Sequence, residues 1–351
     1  MLSERQENIL RLIVGEYISG ASPVASETIA HRYYLRVSAA TVRNEMARLE
    51  EEGYIIRRHT SGGGVPSDRG YRYYVETLVK ERDIPMEERL MISHLFHQVE
   101  REQEQWTRLA AALLARMVRN LAIVTTAKAL EPRLKRLELV AVQDFLALLI
   151  LLLQETRIKQ QLITFDEAIS QEELNLVSNK LNAAFGGLTW SQILAQKLKL
   201  SSVEEEVKRA LVHIMEGEDK QRFEEPQIEG LRHVLIQPEF SSSERLLSLM
   251  EVLESKRLVN SIFPEIVADD VRVIIGDENP EDAMRECSMV ITQYGIPGKV
   301  SGALGVLGPT RMQYGRAISA VRYISSQLSE LVAELCSEGS PGVQSRPRNQ
   351  N

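Results

Sequence analysis

The first eighty residues constrain the fold most strongly, because their helix signals follow one another at close spacing. Ser3 matches a capping-box pattern and begins a predicted helix that Gly20 ends. Ser26 is expected to cap a short second helix to about residue 34, and Ser38 a third helix that ends near residue 53. Two helices joined by a tight turn, after a supporting helix, are typical of a helix-turn-helix unit.

A strand and a glycine-rich loop are predicted directly after the third helix. Residues 54–59 alternate loosely between apolar and polar side chains, and residues 60–66 include three consecutive glycines. Ser67 is then expected to cap a further helix. This order is that of a winged helix-turn-helix, with the loop as the wing. A simple hairpin turn is the alternative interpretation of the glycines, and both interpretations can hold together.

The third helix has one apolar and one polar face. Val42, Met46 and Leu49 recur at helical spacing and are expected to face the core. At 100° per residue, Ala40 and Asn44 then point away from the core. An outward asparagine can pair with adenine and an outward arginine with guanine in the major groove of DNA. A solvated amphipathic helix is the alternative, but the neighbouring helix, turn and basic loop favour DNA binding.

Eleven residues are therefore expected to contact DNA. Those of the third helix and its cap are Ser38, Ala40, Thr41, Arg43, Asn44 and Arg48, and those of the wing are Arg57, Arg58, His59, Ser61 and Gly63.

The overall charge of the chain, taken alone, opposes this interpretation. The formal net charge is −7, from 42 Lys and Arg against 49 Asp and Glu. Residues 1–82, however, hold 12 basic and 11 acidic side chains, a net of +1, so the remaining residues carry a net of −8. The basic side chains that matter are thus concentrated near the predicted helix and wing. An acidic remainder would limit non-specific attachment to DNA.

Cysteine count and hydropathy indicate the compartment. Two cysteines, Cys287 and Cys336, do not suffice for a disulfide scaffold or a Cys-rich zinc module, and they fit a reducing environment. The longest apolar run covers residues 145–153, whereas a membrane-spanning helix needs about 20 residues. We expect a soluble, cytoplasmic protein without a signal peptide and without membrane contact.

The rest of the chain alternates between helix and strand signals. Long, interrupted helix is predicted for residues 84–127. Strands are predicted at 137–143, 145–153, 159–165, 271–275, 289–293 and 300–307, and helices at 172–185, 203–215, 244–255 and 310–335. Residues 217–232 are polar and favour a boundary or an exposed connection. The strand-rich regions are compatible with one α/β domain that is split in sequence.

Two sequence blocks near opposite ends of the chain are distinctive. The first block comprises Pro23-Val-Ala-Ser26, Ser38-Ala-Ala-Thr-Val-Arg-Asn-Glu-Met-Ala47, Leu49-Glu-Glu-Glu-Gly53, His59-Thr-Ser61, Pro66 and Gly70-Tyr-Arg-Tyr-Tyr-Val75. The second is Gly302-Ala-Leu-Gly-Val-Leu-Gly-Pro-Thr-Arg-Met-Gln-Tyr314. Both blocks resemble a known bacterial family, the heat-inducible transcription repressors HrcA, and the region between them is similar only in its general pattern.

The resemblance implies an α+β multidomain fold, with an N-terminal winged helix-turn-helix and a GAF-like α/β domain interrupted by an inserted dimerisation domain. It implies a dimer that binds an inverted-repeat operator, CIRCE, in double-stranded DNA and represses chaperone operons, kept active by the GroE chaperonin. The expected domains are 1–82 (DNA binding), 83–200 (linker helix and first GAF-like part), 201–263 (insertion), 264–336 (second GAF-like part) and 337–351 (disordered tail).

One position departs from the family pattern. Gly64 stands where members usually carry arginine in the wing, so one cationic contact would be missing, although Arg57, Arg58 or Arg69 can compensate. We hypothesise that Gly64→Arg tightens operator binding and steepens its salt dependence. An unchanged salt slope in a titration would contradict this.

Two further segments have alternative interpretations. The spaced glycines of Gly302–Pro309 can hold an anion or, as we favour, allow close packing of a strand. Arg311 and Tyr314 after them can stabilise the domain or its contact with the DNA-binding part. Within the expected insertion, residues 246–253 are apolar enough for a dimer contact or for an ordinary core helix.

The sequence lacks an identifiable catalytic constellation, cofactor motif or metal site. His94 and His97 share a helix face but have no fixed acidic or cysteine partner, so we interpret them as solvated. We expect a protein without enzymatic activity. The rival interpretations are a winged-helix regulator whose GAF-like domain senses a small-molecule ligand, and an enzyme that uses the α/β domain. Release of DNA by a metabolite at fixed temperature would favour the sensor.

Overall fold

A computed structural model shows a mixed α/β protein. It describes residues 2–33, 37–57, 63–79, 83–99, 102–154, 157–220, 226–254 and 270–338. The chain forms two compact units, the first from residues 1–126, 225–294 and 302–328, and the second from 127–224, 295–301 and the residues from 329 on. Within the described ranges, no helix is long and apolar enough to cross a membrane.

Helices and a short hairpin form the N-terminal part of the first unit. They are α1 (Glu4–Gly20), α2 (Ser26–Arg32), α3 (Ala39–Glu51), β1 (Ile55–Ile56), β2 (Val65–Pro66) and α4 (Asp68–Tyr73), which continues as a π-helical turn at Tyr74–Leu78. Local sequence explains their starts: the side chains of Ser3, Ser38 and Ser67 each accept a backbone N–H three residues later. The capping box at Ser3 is complete.

Two details of this region differ from prediction. Ser26 lies inside α2, and the cap residue is Ala25, which makes no side-chain capping hydrogen bond. The predicted strand at 54–59 is limited, among the described residues, to Ile55 and Ile56, which pair antiparallel with Pro66 and Val65. Residues 58–62 lie outside the described ranges.

An antiparallel sheet with flanking helices forms the rest of the first unit. The elements are α5 (Met86–Gln98), α6 (Gln103–Val118), β3 (Leu121–Val124), β8 (Gln227–Glu229), α10 (Leu231–Leu235), α11 (Ser243–Glu254), β9 (Arg272–Ile275), β10 (Cys287–Ile296), β11 (Val300–Pro309) and α12 (Tyr314–Glu338). The strand order is β8-β3-β11-β10-β9. Short 3₁₀ turns lie at Pro238–Phe240, Gly276–Glu278 and Asp282–Met284.

The predicted helix over 84–127 is wrong in its last part. Arg119 adopts a left-handed conformation (φ 54°) and ends α6, and β3 follows as the inner partner of β8 and β11. All four residues of β3 are buried. A run this short and wholly apolar fits a buried strand or a buried helix equally well, so periodicity could not separate the two.

A three-stranded antiparallel sheet with helices on one face forms the core of the second unit. The elements are β4 (Lys128–Ala129), β5 (Leu134–Gln143), β6 (Leu146–Leu153), β7 (Arg157–Thr164), α7 (Gln171–Phe185), α8 (Trp190–Ala195) and α9 (Ser202–Lys220). The strand order is β5-β6-β7. One apolar cluster joins the sheet to α7, α8 and α9.

The predicted insertion at 201–263 does not match this division. Val207, Leu211 and Met215 of α9 are fully buried in the core of the second unit, so residues on both sides of the predicted boundary at 200/201 pack together. Residues 226–254 belong to the first unit instead. There Leu249 and Val252 of α11 are buried, so one side of α11 packs in the core, whereas Leu247 is 63% exposed. The last helix extends to Glu338, and residues 339–351 lie outside the described ranges.

Candidate nucleic-acid interface

Helix α3 is fixed by its cap and its apolar face. Ser38 is extended, and its Oγ accepts the backbone N–H of Thr41 at 3.2 Å. Val42, Met46 and Leu49 are at most 2% exposed, as their spacing predicted. A helix held on this side presents its opposite face in a fixed direction, which is the requirement for reading a DNA groove.

The opposite face of α3 carries the predicted reading residues. Ser38, Ala40, Arg43, Asn44 and Arg48 are exposed, and Thr41 is half-buried. Neither Arg43 nor Asn44 has a side-chain hydrogen bond or ion pair within the part of the chain that the structure describes. Their polar groups are therefore available to an external partner. Whether that partner is DNA remains a prediction.

Glu45 is a residue of this helix that the sequence analysis missed. It is 8% exposed, and its carboxylate lies 3.7 Å from Arg5 of α1 and 3.8 Å from Arg48. The spacing from Val42 to Glu45 is i, i+3, which already places Glu45 beside the core face. This carboxylate partly neutralises Arg48, whereas Arg43 has no counter-charge among the residues that the structure describes.

Arg57 is already paired within the protein. Its side chain is 9% exposed, and its Nε and Nη2 both donate to Glu50 Oε2, at 2.8 and 2.5 Å. The DNA contact of Arg57 stays a prediction, and in this conformation a phosphate would have to compete with Glu50 for the guanidinium group. Glu50, in the last turn of α3, thus holds the segment that follows β1.

The described end of the wing loop packs against the segment before α2. Gly64 exchanges two backbone hydrogen bonds of 2.9 Å with Val24. A Cβ on Gly63 would lie 2.6 Å from the carbonyl carbon of Pro23, so only glycine fits there. Gly63 thus has a packing role. The predicted contacts Arg58, His59 and Ser61 lie outside the described ranges.

The surroundings of Gly64 determine how well the arginine that family members usually carry would fit at this position. Gly64 is buried, and a Cβ on it would lie 3.0 Å from Met46 Cε and 3.1 Å from Ile55 Cδ1. Gly64→Arg would therefore push against the core side of α3. The hypothesis of tighter operator binding stands as a prediction, but the substitution also carries a packing cost.

Helix α4 joins this N-terminal part to the sheet of the same unit. The Asp68 carboxylate accepts the backbone N–H of Asp277 at 2.9 Å. Arg72 donates to the carbonyl oxygen of Val273 at 2.8 Å and to the Glu278 carboxylate, with Nε–Oε1 at 2.8 Å. Burial raises the pKa of Asp68, and the hydrogen bond to Glu278 raises the pKa of Arg72. These contacts fix the orientation of α4 on the sheet.

Arg311 also connects the N-terminal helices to the sheet part of the first unit, as its position in the C-terminal sequence block suggested. Its guanidinium group is 13% exposed and donates to Glu239 Oε1 at 2.5 Å and to Gln237 Oε1 at 2.5 Å. It also donates to the carbonyl oxygen of Ile18, in the last turn of α1, at 3.4 Å. Arg311 therefore links the helical part to the segment after β11.

The glycines before Arg311 are explained by close packing. Gly302, Gly305 and Gly308 all lie in β11. Added Cβ atoms would lie 2.4 Å from the Tyr294 ring, 2.5 Å from Ile291 Cγ2 and 2.4 Å from Asn120 Oδ1, respectively. The favoured interpretation of this block, a tightly packed strand, is confirmed.

A metal site is not apparent in the residues described. No group of three or more His, Cys, Asp or Glu side chains there could hold a metal ion. His94 lies 2.8 Å from the Gln98 amide, and His97 bonds the carbonyl oxygen of Ser93, so both rings have local partners on α5.

Comparisons with known proteins identify relatives over nearly the whole chain. The family model described as "HrcA protein C terminal domain" matches residues 104–318. A heat-inducible transcription repressor HrcA of Dehalococcoides mccartyi is 46% identical over 336 residues, which cover 95% of this chain and 97% of the relative. The HrcA of Roseiflexus castenholzii is 42% identical over 344 residues, 95% of each chain.

A solved structure supports the fold. The crystal structure of a hypothetical protein matches with a TM-score of 0.63 at 23% identity, over 95% of this chain and all of that one. Together these similarities define the class of protein as a transcription repressor. Within that class, the chain belongs to the HrcA family of heat-inducible transcription repressors.

Proposed function

We propose that residues 1–82 form a winged helix-turn-helix that binds double-stranded DNA through α3. The observation that carries the proposal is the exposed pair Arg43 and Asn44, which lack partners among the described residues on a helix otherwise held by its core face. Arg43 would donate to guanine and Asn44 would pair with adenine. Ser38 and Thr41, at the start of α3, would meet a phosphate.

The operator is proposed to be the inverted repeat CIRCE in front of chaperone operons. One α3 reads only a short half-site, and a two-fold repeat in DNA matches a two-fold protein. The protein would therefore act as a homodimer. Repression follows if the bound dimer covers the promoter. From the same resemblance we propose that the GroE chaperonin keeps the repressor active. During heat shock the chaperonin would no longer be available to it, and the repressor would lose activity.

The three-stranded sheet of the second unit offers a surface for this dimer. Along β6 the side chains alternate between buried and half-buried, although nearly all are leucine or isoleucine. The buried set faces α7 and α9. The other set, with paired residues of β5 and β7, forms an open apolar face: Val140, Leu148, Ile150, Leu152, Ile158 and Leu162.

We propose that a second copy of the chain covers this open face. Val140, Ile158 and Leu162 are 43, 66 and 55% exposed, which is unusual for three apolar residues on one sheet face. Arg136 and Glu138 lie on the same face in β5 and pair with each other, so they leave no uncompensated charge on it. A two-fold axis can place the apolar residues of one copy against those of the other. This location replaces the predicted contact on α11.

An electrophoretic shift assay with a chaperone-operon promoter tests the DNA proposal. Arg43→Ala and Asn44→Ala should each weaken operator binding by about 1 to 3 kcal/mol, or roughly 5- to 150-fold. Arg108→Ala is the matched control, because Arg108 is an exposed arginine on α6 that pairs with Glu104, four residues earlier on the same helix. Operator binding by both α3 variants that stays sequence-specific and as tight as in the parent would overturn the assignment.

The chaperonin proposal needs a separate test. Purified GroE added at a fixed temperature should raise the fraction of repressor that binds operator, and heating should lower it. A metabolite that releases operator DNA without any effect of GroE would instead favour the ligand-sensor interpretation.

A further inference from the structure

A large cleft lies within the first unit, away from the outward face of α3. Its volume is about 1340 Å³. The walls come from the end of α6, the β8–α10 segment and the turn from β11 into α12. Gly230, with φ of 85°, holds two walls close together, because a Cβ there would lie 2.4 Å from the carbonyl oxygen of Asn120.

The lining of this cleft is strongly basic. Arg116, Arg119, Arg232 and Arg316 all line it and are all exposed. None of these four side chains has an ion pair or hydrogen bond within the described ranges.

Opposite charge in the cleft is scarce. Arg311 also lines it but is neutralised by Glu239. Glu229 is the acidic residue among the lining side chains. Four guanidinium groups without a partner among the described residues, against the one carboxylate of Glu229, leave a formal excess of three positive charges in the described lining.

Other arginines of the first unit differ from the four cleft arginines because they are paired. Arg32, Arg57 and Arg72 each have a carboxylate within hydrogen-bond distance. The chain as a whole is acidic, so carboxylates to pair with the cleft arginines are not in short supply. Like charges around a concavity repel one another and focus a positive potential into it, which an anion would relieve.

We propose that this cleft binds a small, multiply charged phosphate compound with three or more negative charges. Guanidinium groups are planar forks that match phosphate oxygens in pairs, and several forks around one cavity favour a ligand with more than one phosphate group. The volume exceeds the 300–1,000 Å³ that is typical of small-molecule sites, so a nucleotide-sized anion fits with room for water.

The position of the cleft links a bound anion to the DNA-binding part. Ile18, in the last turn of α1, lines the cleft, and Arg311 donates to its carbonyl oxygen. An anion seated there would contact segments from both the helical part and the sheet. Binding should therefore raise the melting temperature of the unit, since only the folded protein assembles these walls.

Isothermal titration calorimetry of the full chain with sodium tripolyphosphate tests the proposal. We expect one tripolyphosphate per chain, with affinity that falls as salt increases from 50 to 200 mM. The double variant Arg116→Gln/Arg316→Gln should bind about tenfold or more weakly, because each arginine supplies a charge-assisted hydrogen bond. Both residues are exposed on helices, so the variant should fold.

Three further variants make the result specific. Lys135→Gln/Lys197→Gln removes the same charge from exposed positions of the second unit and should change the affinity less than about twofold. A second cleft variant, Arg119→Gln/Arg232→Gln, should reproduce the loss if the first pair alters the fold. Arg43→Ala should bind tripolyphosphate normally, so failure here and failure of the DNA proposal are distinguishable.

Three results would overturn the proposal. One is no tripolyphosphate binding at millimolar concentration, and another is an equal loss in the lysine control. The third is a cleft variant that binds tripolyphosphate like the parent but shows a shallower salt slope with random duplex DNA. The cleft would then be a contact for the DNA backbone.

Discussion

The open face of the β5-β6-β7 sheet gives the sharpest test of assembly. Ile158 is the most exposed of its apolar residues, at 66%, and pairs with Leu152 on the central strand. Ile158→Lys would place a charge in the proposed contact of each copy. Because the substitution lies on the open side of β7, the core on the helical side should be unaffected.

The size of the effect follows from the exposed area that a partner would cover. Complete burial of an isoleucine side chain contributes about 1.5 to 3 kcal/mol, so covering two-thirds of it contributes about 1 to 2 kcal/mol. A two-fold interface contains the residue twice, which gives about 2 to 4 kcal/mol. The dimer dissociation constant should therefore increase roughly 30- to 1,000-fold, before any cost of burying the ammonium group.

Sedimentation equilibrium of the full chain over a range of concentrations measures this constant directly. Leu176→Lys is the matched control, because Leu176 is 70% exposed but lies on α7, on the helical side of the sheet. The control should leave the constant within about threefold of the parent value. A dimer that tolerates Ile158→Lys, or one that both variants weaken equally, would refute the placement of the interface.

Further substitutions test the remaining structural interpretations. Arg57→Ala should lower the free energy of unfolding in urea by about 1 to 3 kcal/mol, because its carboxylate partner loses a covered ion pair. The salt slope of operator binding should not change, and a shallower slope at parent stability would contradict the pairing. Gly305→Ala should destabilise by about 1 to 3 kcal/mol through overlap with β10, while Gly15→Ala, which meets nothing within 4 Å, should not. Burial raises the pKa of Cys287 to about 12, so native Cys336→Ser protein should not react with a thiol reagent at pH 8. Rapid labelling before unfolding would contradict that.

The predictable part of the fold rests on local signals. Caps at Ser3, Ser38 and Ser67 depend on a side chain and a backbone N–H three residues away, so the sequence contains the whole interaction. The extent of the second unit was not predictable in this way. Helix α9 belongs there because Val207 and Leu211 fill the core under β5–β7, and no local signal marks such a long-range partner.

The candidate DNA-binding site likewise has a part that local sequence predicts and a part that it does not. The inward and outward residues of α3 follow from helical geometry, and the structure confirms that Met46 is buried and Asn44 exposed. The pairing of Arg57 with Glu50 was missed, since it depends on how the chain turns after α3. The sequence shows which side chains are cationic, but it does not show which of them already form an ion pair with a carboxylate.

This distinction changes what the charge of the chain means for DNA binding. Within residues 1–82 the basic and acidic side chains nearly balance, yet Arg32 and Arg57 are held by carboxylates while Arg43 has no ion pair among the described residues. A phosphate or base can compete for an arginine only at the cost of its existing pair. Affinity for random DNA should therefore scale with the few unpaired cations, at about 0.9 in the salt slope for each phosphate contact. Specific binding would then depend on two α3 faces that reach two half-sites together, which makes dimer formation a condition of repression.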